Sequence, residues 1–147
     1  MRILIVKTSS LGDVIHNLPV IADIRQHVPD AIIDWCVEES FAAIPRLHPG
    51  VAEIITVAIR RWRKNLFARK TWREMAASRA ALRRHDYDLV IDTQGLAKSA
   101  LIASQACGAR CGYDAASIRE PLAARFYQRH FAVSTTEHAV VRNRRLV

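Results

Sequence analysis

The apolar run Ile3-Leu4-Ile5-Val6 is followed at once by Lys7-Thr8-Ser9-Ser10-Leu11-Gly12-Asp13-Val14-Ile15-His16 and then by a helical pattern. This order predicts a buried strand that ends in a tight polar loop. In open α/β sheets, ligands bind outside the carboxyl ends of the strands, where loop amides and helix N-termini converge. We therefore expect the chemistry of this chain in the loop that contains Asp13.

Apolar runs and helical patterns alternate along the rest of the chain. Strands are predicted at 2–7, 31–37, 51–58, 87–92 and 109–113. Helices are predicted at 13–27, 38–48, 66–84, 96–106, 121–130 and from residue 138 onward, with Pro19 marking a kink or the true start of the first. Because parallel strands need crossover connections, this alternation predicts an α/β fold, a Rossmann-like parallel sheet with helices on both faces. Residues 1–147 fit one domain.

Composition narrows the class of protein. No stretch approaches the ~20 consecutive apolar residues of a membrane span, and the N-terminus shows no secretory signal. We therefore expect a cytoplasmic protein. Cys36, Cys107 and Cys111 are an odd number of cysteines, which favours free thiols over disulfides, and no ligand spacing completes a metal site. We expect neither a metal nor a cofactor.

The formal charge of +8 is concentrated in one segment. Residues 60–84 contain ten basic residues and one acid, whereas the remainder holds 12 basic and 13 acidic residues. Such a segment suits a multiply anionic ligand, an anionic membrane face or nucleic acid. We do not favour nucleic acid, because aromatic residues make up only 7% and match no RNA-binding motif. A nicotinamide-dependent dehydrogenase is disfavoured because the first loop lacks G-x-G-x-x-G.

Six motifs follow one another along the chain. They are Lys7-Thr8-Ser9-Ser10-Leu11-Gly12-Asp13-Val14, Asp34-Trp35-Cys36-Val37-Glu38-Glu39, Ala58-Ile59-Arg60-Arg61-Trp62-Arg63-Lys64, Asp92-Thr93-Gln94-Gly95-Leu96-Ala97-Lys98-Ser99-Ala100, Arg119-Glu120-Pro121-Leu122-Ala123 and Glu137-His138-Ala139-Val140. In this order, and over essentially the whole chain, they resemble the bacterial lipopolysaccharide heptosyltransferases, glycosyltransferase family 9. The basic run from residue 60 to 64 favours the members that add the first heptose, while an enzyme adding the second heptose is the alternative.

The resemblance implies a two-domain glycosyltransferase of the GT-B type. In that family the N-terminal half binds the acceptor, the Kdo (3-deoxy-manno-octulosonic acid) sugars of Kdo₂-lipid A. The C-terminal half binds the donor, ADP-L-glycero-β-D-manno-heptose. This chain resembles the first half only, so the resemblance implies an acceptor-binding domain without its donor-binding partner. It also implies a peripheral location on the cytoplasmic face of the inner membrane.

Asp13 is the predicted catalytic residue. The resemblance implies that it is the general base, and the chemistry agrees, because an acceptor hydroxyl must lose a proton as it attacks the anomeric carbon in an inverting transfer. The alternative role for Asp13 is a helix cap, which is common for Asp at such a position. A carboxylate held by helix amides has a lowered pKa, so the two roles would affect each other.

The predicted acceptor-binding residues lie in several loops. Arg60, Arg61, Arg63 and Lys64 follow the third strand, and guanidinium groups pair well with carboxylates and phosphates. The other predicted ligands are Thr8, Ser9, Ser10, Gly12, Trp62, Gln94, Lys98, Arg119 and His138. Among them, Trp62 either stacks on a sugar or packs in the core. The Gln94 amide is expected to bond a sugar hydroxyl, and Gly12 to permit close backbone approach. The basic helix 66–84 either contacts an anionic leaflet or packs on the sheet.

Overall fold

Six parallel strands form one sheet in the computed structural model, which describes residues 1–147. They are β1 (Arg2–Val6), β2 (Ile32–Glu38), β3 (Val51–Val57), β4 (Asp86–Asp92), β5 (Cys107–Tyr113) and β6 (Arg129–Phe131). Their order in the sheet is β3-β2-β1-β4-β5-β6. The chain thus winds outward from β1 in both directions, and the order reverses between β1 and β4. This confirms the predicted α/β fold and places a crevice at the carboxyl ends of β1 and β4.

The chain has seven α-helices, of which the first six lie in connections between strands and the seventh follows β6. They are α1 (Leu11–Ile15), α2 (Pro19–His27), α3 (Ala43–Arg46), α4 (Ile59–Trp62), α5 (Arg69–Leu82), α6 (Ala97–Ala103) and α7 (Ala139–Arg145). Pro19 is the first residue of α2, where its missing N–H costs no helical hydrogen bond. The predicted helix 13–27 is therefore two helices. None of the helices is long and apolar enough to cross a membrane.

The sheet is covered on both faces, as predicted. Alternate side chains of β1 point to opposite faces: Ile3 and Ile5 belong to one buried cluster, Leu4 and Val6 to another. The first cluster includes side chains of α1 and α2. The second includes side chains of α4, α5 and α6. All three cysteines are free thiols, which confirms that prediction.

The segment 121–130, predicted as a helix, is only partly helical. Residues Pro121–Phe126 form a 3-10 helix, and the chain then becomes β6 at the sheet edge. Gln128 causes the change, because its N–H donates to the Arg110 carbonyl at 2.9 Å and its side-chain oxygen accepts the Arg110 N–H at 2.8 Å. Pairing with β5 therefore outweighs the local helical pattern.

Helix α5 lies on the sheet with a different face inward than its apolar stripe predicts. The buried residues are Thr71 and Leu82, with Met75 packed between them. The stripe consists of Ala68, Trp72, Met75, Ala76 and Ala80, which recur at three- and four-residue steps and predict one buried face. Trp72 is nevertheless 59% exposed. The spacing of Thr71, Met75 and Leu82 keeps one face of the helix on β3, and Trp72 lies about 100° around the helix from Thr71.

Candidate active site

The loop after β1 is held in place by Gln94, which follows β4. Its side-chain oxygen accepts hydrogen bonds from the Thr8 N–H at 2.7 Å and the Thr8 hydroxyl at 2.8 Å. Its amide nitrogen faces the Ser9 hydroxyl at 3.4 Å. Gln94 is 5% exposed, so its amide oxygen is fully occupied by the loop. Gln94 therefore shapes the loop, and it also lines the cleft that contains Asp13. Its bond to a sugar hydroxyl stays a prediction, now for the amide nitrogen.

Asp13 lies in the first turn of α1, and its two carboxylate oxygens have different surroundings. Oδ2 accepts hydrogen bonds from the Ser10 N–H at 3.0 Å and the Ser10 hydroxyl at 3.1 Å. Oδ1 has no hydrogen-bond partner within the chain. The cap role that the sequence left open is therefore present, but it uses one oxygen only. The other oxygen is free to accept a proton.

Three cationic side chains share a cleft with Asp13. They are Lys7 at the end of β1, Arg119 in the loop before Pro121, and Arg142 in α7. Partial burial would raise the pKa of Asp13, but the hydrogen bonds from Ser10 and the charges of Lys7 and Arg119 together hold it below its usual value. The Asp13 carboxylate is therefore ionised at neutral pH.

Lys7 is the most buried of these cations, with 6% of its surface exposed. Its ammonium group donates to the Thr93 carbonyl at 2.8 Å. Burial lowers the pKa of Lys7 to about 8, against the opposing attraction of Asp13 and Asp92. A lysine with this pKa is poised between its charged and neutral forms near physiological pH.

The same cleft holds several buried polar atoms that lack partners within the chain. They are the Thr93 hydroxyl, the Asn143 amide nitrogen and the Arg142 Nε. Arg142 is otherwise fixed, since it donates to the Ser117 carbonyl and lies over the Tyr113 ring at 5.0 Å. Buried polar groups are normally paired. Three unpaired ones beside Asp13 indicate a cleft built to bind a polar ligand or water.

Lys98 lies in the first turn of α6 and His138 is the N-cap of α7, as expected for residues in loops or helix starts. Neither lines the cleft itself, and their role as acceptor ligands stays a prediction. The Lys98 ammonium group donates to the Ser9 hydroxyl at 3.1 Å. The His138 ring packs edge-on against His16, with 5.2 Å between the ring centres, and its Nδ1 faces the Val140 N–H. Both side chains are exposed and remain free to contact a ligand.

The basic segment after β3 lies on the same sheet edge as Asp13, joined to it through Glu38. The Glu38 N–H donates to the Thr8 carbonyl at 3.1 Å. Its buried carboxylate accepts the N–H groups of Ile59 and Arg60, both at 3.2 Å. Arg60 itself lies over the Phe41 ring at 5.1 Å. The residues here form the short helix α4, where the sequence suggested a loop.

The predicted ligands of the basic run do not all have free side chains. Arg60, Arg63 and Lys64 are exposed and form no ion pair. Arg61 pairs with Glu39 at 2.9 Å and Glu74 at 2.7 Å. An acceptor anion would have to compete with both carboxylates, so the structure gives Arg61 a structural role.

Trp62 packs in the core, which is one of the two roles that the sequence left open. The other role, stacking on a sugar, does not fit its burial. The residue is 9% exposed and belongs to the buried cluster under α5. Its indole N–H donates to Glu74 at 2.9 Å. Its position directly after two arginines suggested an exposed loop, but α4 turns the indole inward.

The sequence did not assign a site role to Lys7, Glu38 or Arg142. Lys7 directly follows the apolar run of β1, so its place at the carboxyl end of a strand was visible in the sequence. It was interpreted only as the last residue of that strand. Arg142 follows His138 by four residues, which places both on one face of a helix. Glu38 could not have been found this way, because its role depends on the spatial meeting of β2 and β3.

The comparisons with known proteins agree with this architecture. A sequence profile described as glycosyltransferase family 9 (heptosyltransferase) matches residues 75–147. Lipopolysaccharide heptosyltransferase 1 of Pseudomonas aeruginosa is 52% identical over 147 residues, 99% of this chain and 41% of that protein. The chain is similar to this family 9 heptosyltransferase over nearly its whole length. The motifs that carried the resemblance, Asp13 among them, lie within that matched length.

Solved structures extend the comparison to the fold. The structure of E. coli heptosyltransferase WaaC with ADP-2-deoxy-2-fluoro heptose matches with a TM-score of 0.96 and 50% identity, covering 99% of this chain and 47% of that one. E. coli ADP-heptose lps heptosyltransferase II matches with a TM-score of 0.74 and 22% identity, covering 99% and 40%. The latter likeness concerns the fold alone. The chain spans less than half the length of these heptosyltransferases.

Proposed function

We propose that this chain is the acceptor-binding half of an inverting heptosyltransferase. The reaction transfers L-glycero-D-manno-heptose from ADP-heptose to a Kdo sugar of Kdo₂-lipid A. The observation that carries the proposal is the free Oδ1 of Asp13 in a cleft with Lys7, Arg119 and Arg142. A carboxylate base beside several cations suits an acceptor that is both a sugar alcohol and an acid.

The chemical step is a single displacement. The acceptor hydroxyl oxygen forms a bond to the anomeric carbon of heptose while the bond from that carbon to the ADP oxygen breaks. ADP leaves with the electron pair, and the hydroxyl proton passes to Oδ1 of Asp13. Oδ2 stays on Ser10 throughout, which keeps the carboxylate oriented toward the cleft. Orientation of this kind contributes to rate because the base needs no rearrangement.

The cations lie in two regions, and we assign each region to different acidic groups of the acceptor. Arg119 and Arg142 line the same cleft as Asp13, and we assign them to a Kdo carboxylate beside the reacting hydroxyl. Arg60, Arg63 and Lys64 lie at the end of β3, two strands away from β1, and suit phosphate groups farther along a lipid A headgroup. Lys98 can donate to a sugar oxygen from the opposite side of the Ser9 loop.

The donor is assigned to a second domain outside residues 1–147. The solved relative that matches this chain was captured with an ADP-heptose analogue, which supports a nucleotide-sugar donor for the family. The cleft around Asp13 lies at the carboxyl ends of the strands, the edge at which a facing domain can close over both substrates.

A chimera tests the proposal. Residues 1–147 would replace the matched N-terminal part of E. coli WaaC, and the purified chimera would receive ADP-heptose with Kdo₂-lipid A. The expected product is the acceptor plus one heptose, detected by mass spectrometry. A folded chimera that transfers heptose only to an acceptor already carrying one heptose would assign the chain to the second-heptose enzymes instead. Absence of transfer to either acceptor would overturn the proposal.

A further inference from the structure

Three large apolar side chains protrude together at the start of α5. Leu66 is 48% exposed, Trp72 is 59% exposed, and Phe67 is exposed as fully as in an extended chain. Isolated exposed apolar residues are ordinary, but a cluster that includes two aromatic rings indicates an interaction surface. We call residues 63–73 the tip segment.

Packing and hydrogen bonds at both ends hold the tip segment in place. Below it, Trp62 is packed in the core and donates to Glu74 at 2.9 Å. Above, the indole N–H of Trp72 donates to the Leu66 carbonyl at 2.8 Å, which ties the helix to the loop. The Ala68 N–H donates to the Asn65 carbonyl at 3.1 Å. Phe67 is therefore held outward by the backbone, and the Trp72 ring carries no unpaired donor.

Cations surround the three apolar side chains. The tip segment contains five exposed basic residues, which are Arg63, Lys64, Arg69, Lys70 and Arg73. Only Lys70 has an acidic partner, Glu74, at the long distance of 4.0 Å. The charge of this surface is thus uncompensated by the protein itself, and an anionic partner is expected.

We propose that the tip segment docks on an anionic lipid bilayer, with Leu66 and Phe67 inserted at the boundary between headgroups and acyl chains. Trp72 then lies at headgroup depth, where amphipathic aromatic rings are favoured, and the five cations contact anionic headgroups. Exposed apolar side chains surrounded by cations suit the headgroup region of a lipid surface. A stable protein partner would instead need about 800 Å² of complementary surface on each side.

The tip segment shares Arg63 and Lys64 with the proposed acceptor-binding residues, whereas Leu66, Phe67, Trp72 and the other three cations have no part in the proposed reaction. The membrane role refines the expectation from the sequence, which considered the whole helix 66–84 as the lipid-facing element. In the structure, one face of α5 packs on the sheet, so the contact is confined to its N-terminal end and the preceding loop. Membrane docking can be measured without any sugar transfer. A negative docking result would therefore leave the proposed reaction untouched, and the reverse also holds.

The tryptophans offer a direct measurement. The chain has three, of which Trp35 and Trp62 are buried and Trp72 is exposed. Emission of the 147-residue chain would be recorded with vesicles of phosphatidylcholine containing about one-third phosphatidylglycerol, and with brominated phosphatidylglycerol as quencher. The expected result is a blue shift and quenching that both vanish in Trp72→Phe, and no comparable binding to pure phosphatidylcholine vesicles.

Matched variants distinguish the contribution of inserted apolar side chains to vesicle binding from the contribution of the basic side chains. Phe67→Ser should weaken vesicle binding about tenfold or more, because a buried Phe ring is lost from the lipid. Leu47→Ser removes an equally prominent side chain, 84% exposed, before β3 at the opposite sheet edge, and should change nothing. Arg69→Gln with Arg73→Gln should weaken binding about fivefold per charge. The pair Arg79→Gln with Arg83→Gln, at the far end of α5, should have a much smaller effect.

Three outcomes would overturn the proposal. The first is vesicle binding without quenching of Trp72, and the second is an equal loss in Leu47→Ser and Phe67→Ser. The third is displacement of the vesicles by random RNA that binds with the same dependence on Phe67, which would assign the tip segment to nucleic acid. Thermal unfolding of Phe67→Ser should match the parent chain, since the ring contacts almost no protein atoms.

Discussion

The carboxylate of Glu38 accepts the backbone N–H of Arg60 at 3.2 Å, and this bond couples the end of β2 to the basic segment after β3. Glu38 also receives the Ile59 N–H, so it satisfies two amides at the start of α4. Acidic groups are stabilising at helix N-termini, where amides lack partners. The position of Arg60 on the active-site edge therefore depends on Glu38.

Replacing Glu38 by Ala should destabilise the chain by about 1–3 kcal/mol, the cost of leaving partly buried amides without acceptors. Glu39→Ala is the matched control. It removes only exposed ion pairs with Arg61, which are worth about 0–1 kcal/mol. Urea unfolding followed by circular dichroism measures both. Equal midpoints for the two variants would contradict the role of Glu38.

Lys7 should give the chain a distinctive dependence of stability on pH. Its pKa is lowered to about 8 by burial, from 10.5 when exposed. Between these values the unfolded chain binds more protons at this site than the folded chain does. The free energy of unfolding contributed by Lys7 should thus rise as pH increases from 8 to 10.5, by about 3 kcal/mol in total. Below pH 8 that contribution is lost.

The measurement compares the parent chain with Lys7→Met by urea unfolding at several pH values. The variant cannot titrate at this position, so the difference in unfolding free energy between the two chains should increase toward alkaline pH. A constant difference for Lys7→Met across the range would mean that Lys7 is solvated.

The sequence predicted the sheet well because buried parallel strands leave a strong local signal. The run Ile3–Val6 and the run before Asp92 are apolar on both faces, as strands covered by helices on each side must be. Strand β6 was missed because its three residues are all exposed, so they carry no apolar signal, and only their pairing with β5 makes them a strand. The buried face of α5 was predicted wrongly because a tryptophan is usually a core residue, whereas Trp72 lies at the surface.

The site was predictable to the level of the loop, but not to the level of individual contacts. Position at the carboxyl end of β1 identified Asp13, and the same rule located the basic run after β3. Whether an arginine is free depends on its neighbours in space. Arg61 is bound by Glu39 and Glu74, which lie 22 and 13 residues away. No local pattern contains that information. The same holds for Gln94, whose side-chain oxygen accepts hydrogen bonds from Thr8 in a distant part of the sequence.

Gly12 offers a test of ligand approach that is separate from stability. A Cβ at this position would meet no protein atom within 4 Å. Gly12 lies in α1, so Gly12→Ala should leave the fold intact and stabilise it by up to about 1 kcal/mol. If the acceptor contacts the backbone here, the same variant should bind the deacylated Kdo₂-lipid A headgroup about tenfold more weakly in calorimetry. Unchanged affinity would remove Gly12 from the binding surface.

Asp13→Asn should separate catalysis from binding. Asparagine keeps the size of the side chain, and its amide oxygen can still accept the Ser10 N–H, but it cannot take up the hydroxyl proton. In the chimera with the E. coli relative, the variant should lower the rate of heptose transfer by about 10²–10⁴-fold, the typical contribution of a general base. Headgroup affinity should fall by no more than severalfold, because Arg119 and Arg142 remain.

Asp23→Asn is the control for this last variant, since Asp23 pairs with Arg144 at the surface, at 2.7 Å, far along α2 from the cleft. It should transfer heptose at the parent rate. The pKa of Asp13 lies below its usual value, so transfer by the parent chimera should not decline between pH 8 and pH 6 through protonation of this group. Near-parental turnover in Asp13→Asn would show that another group accepts the proton and that Asp13 serves α1 as a cap.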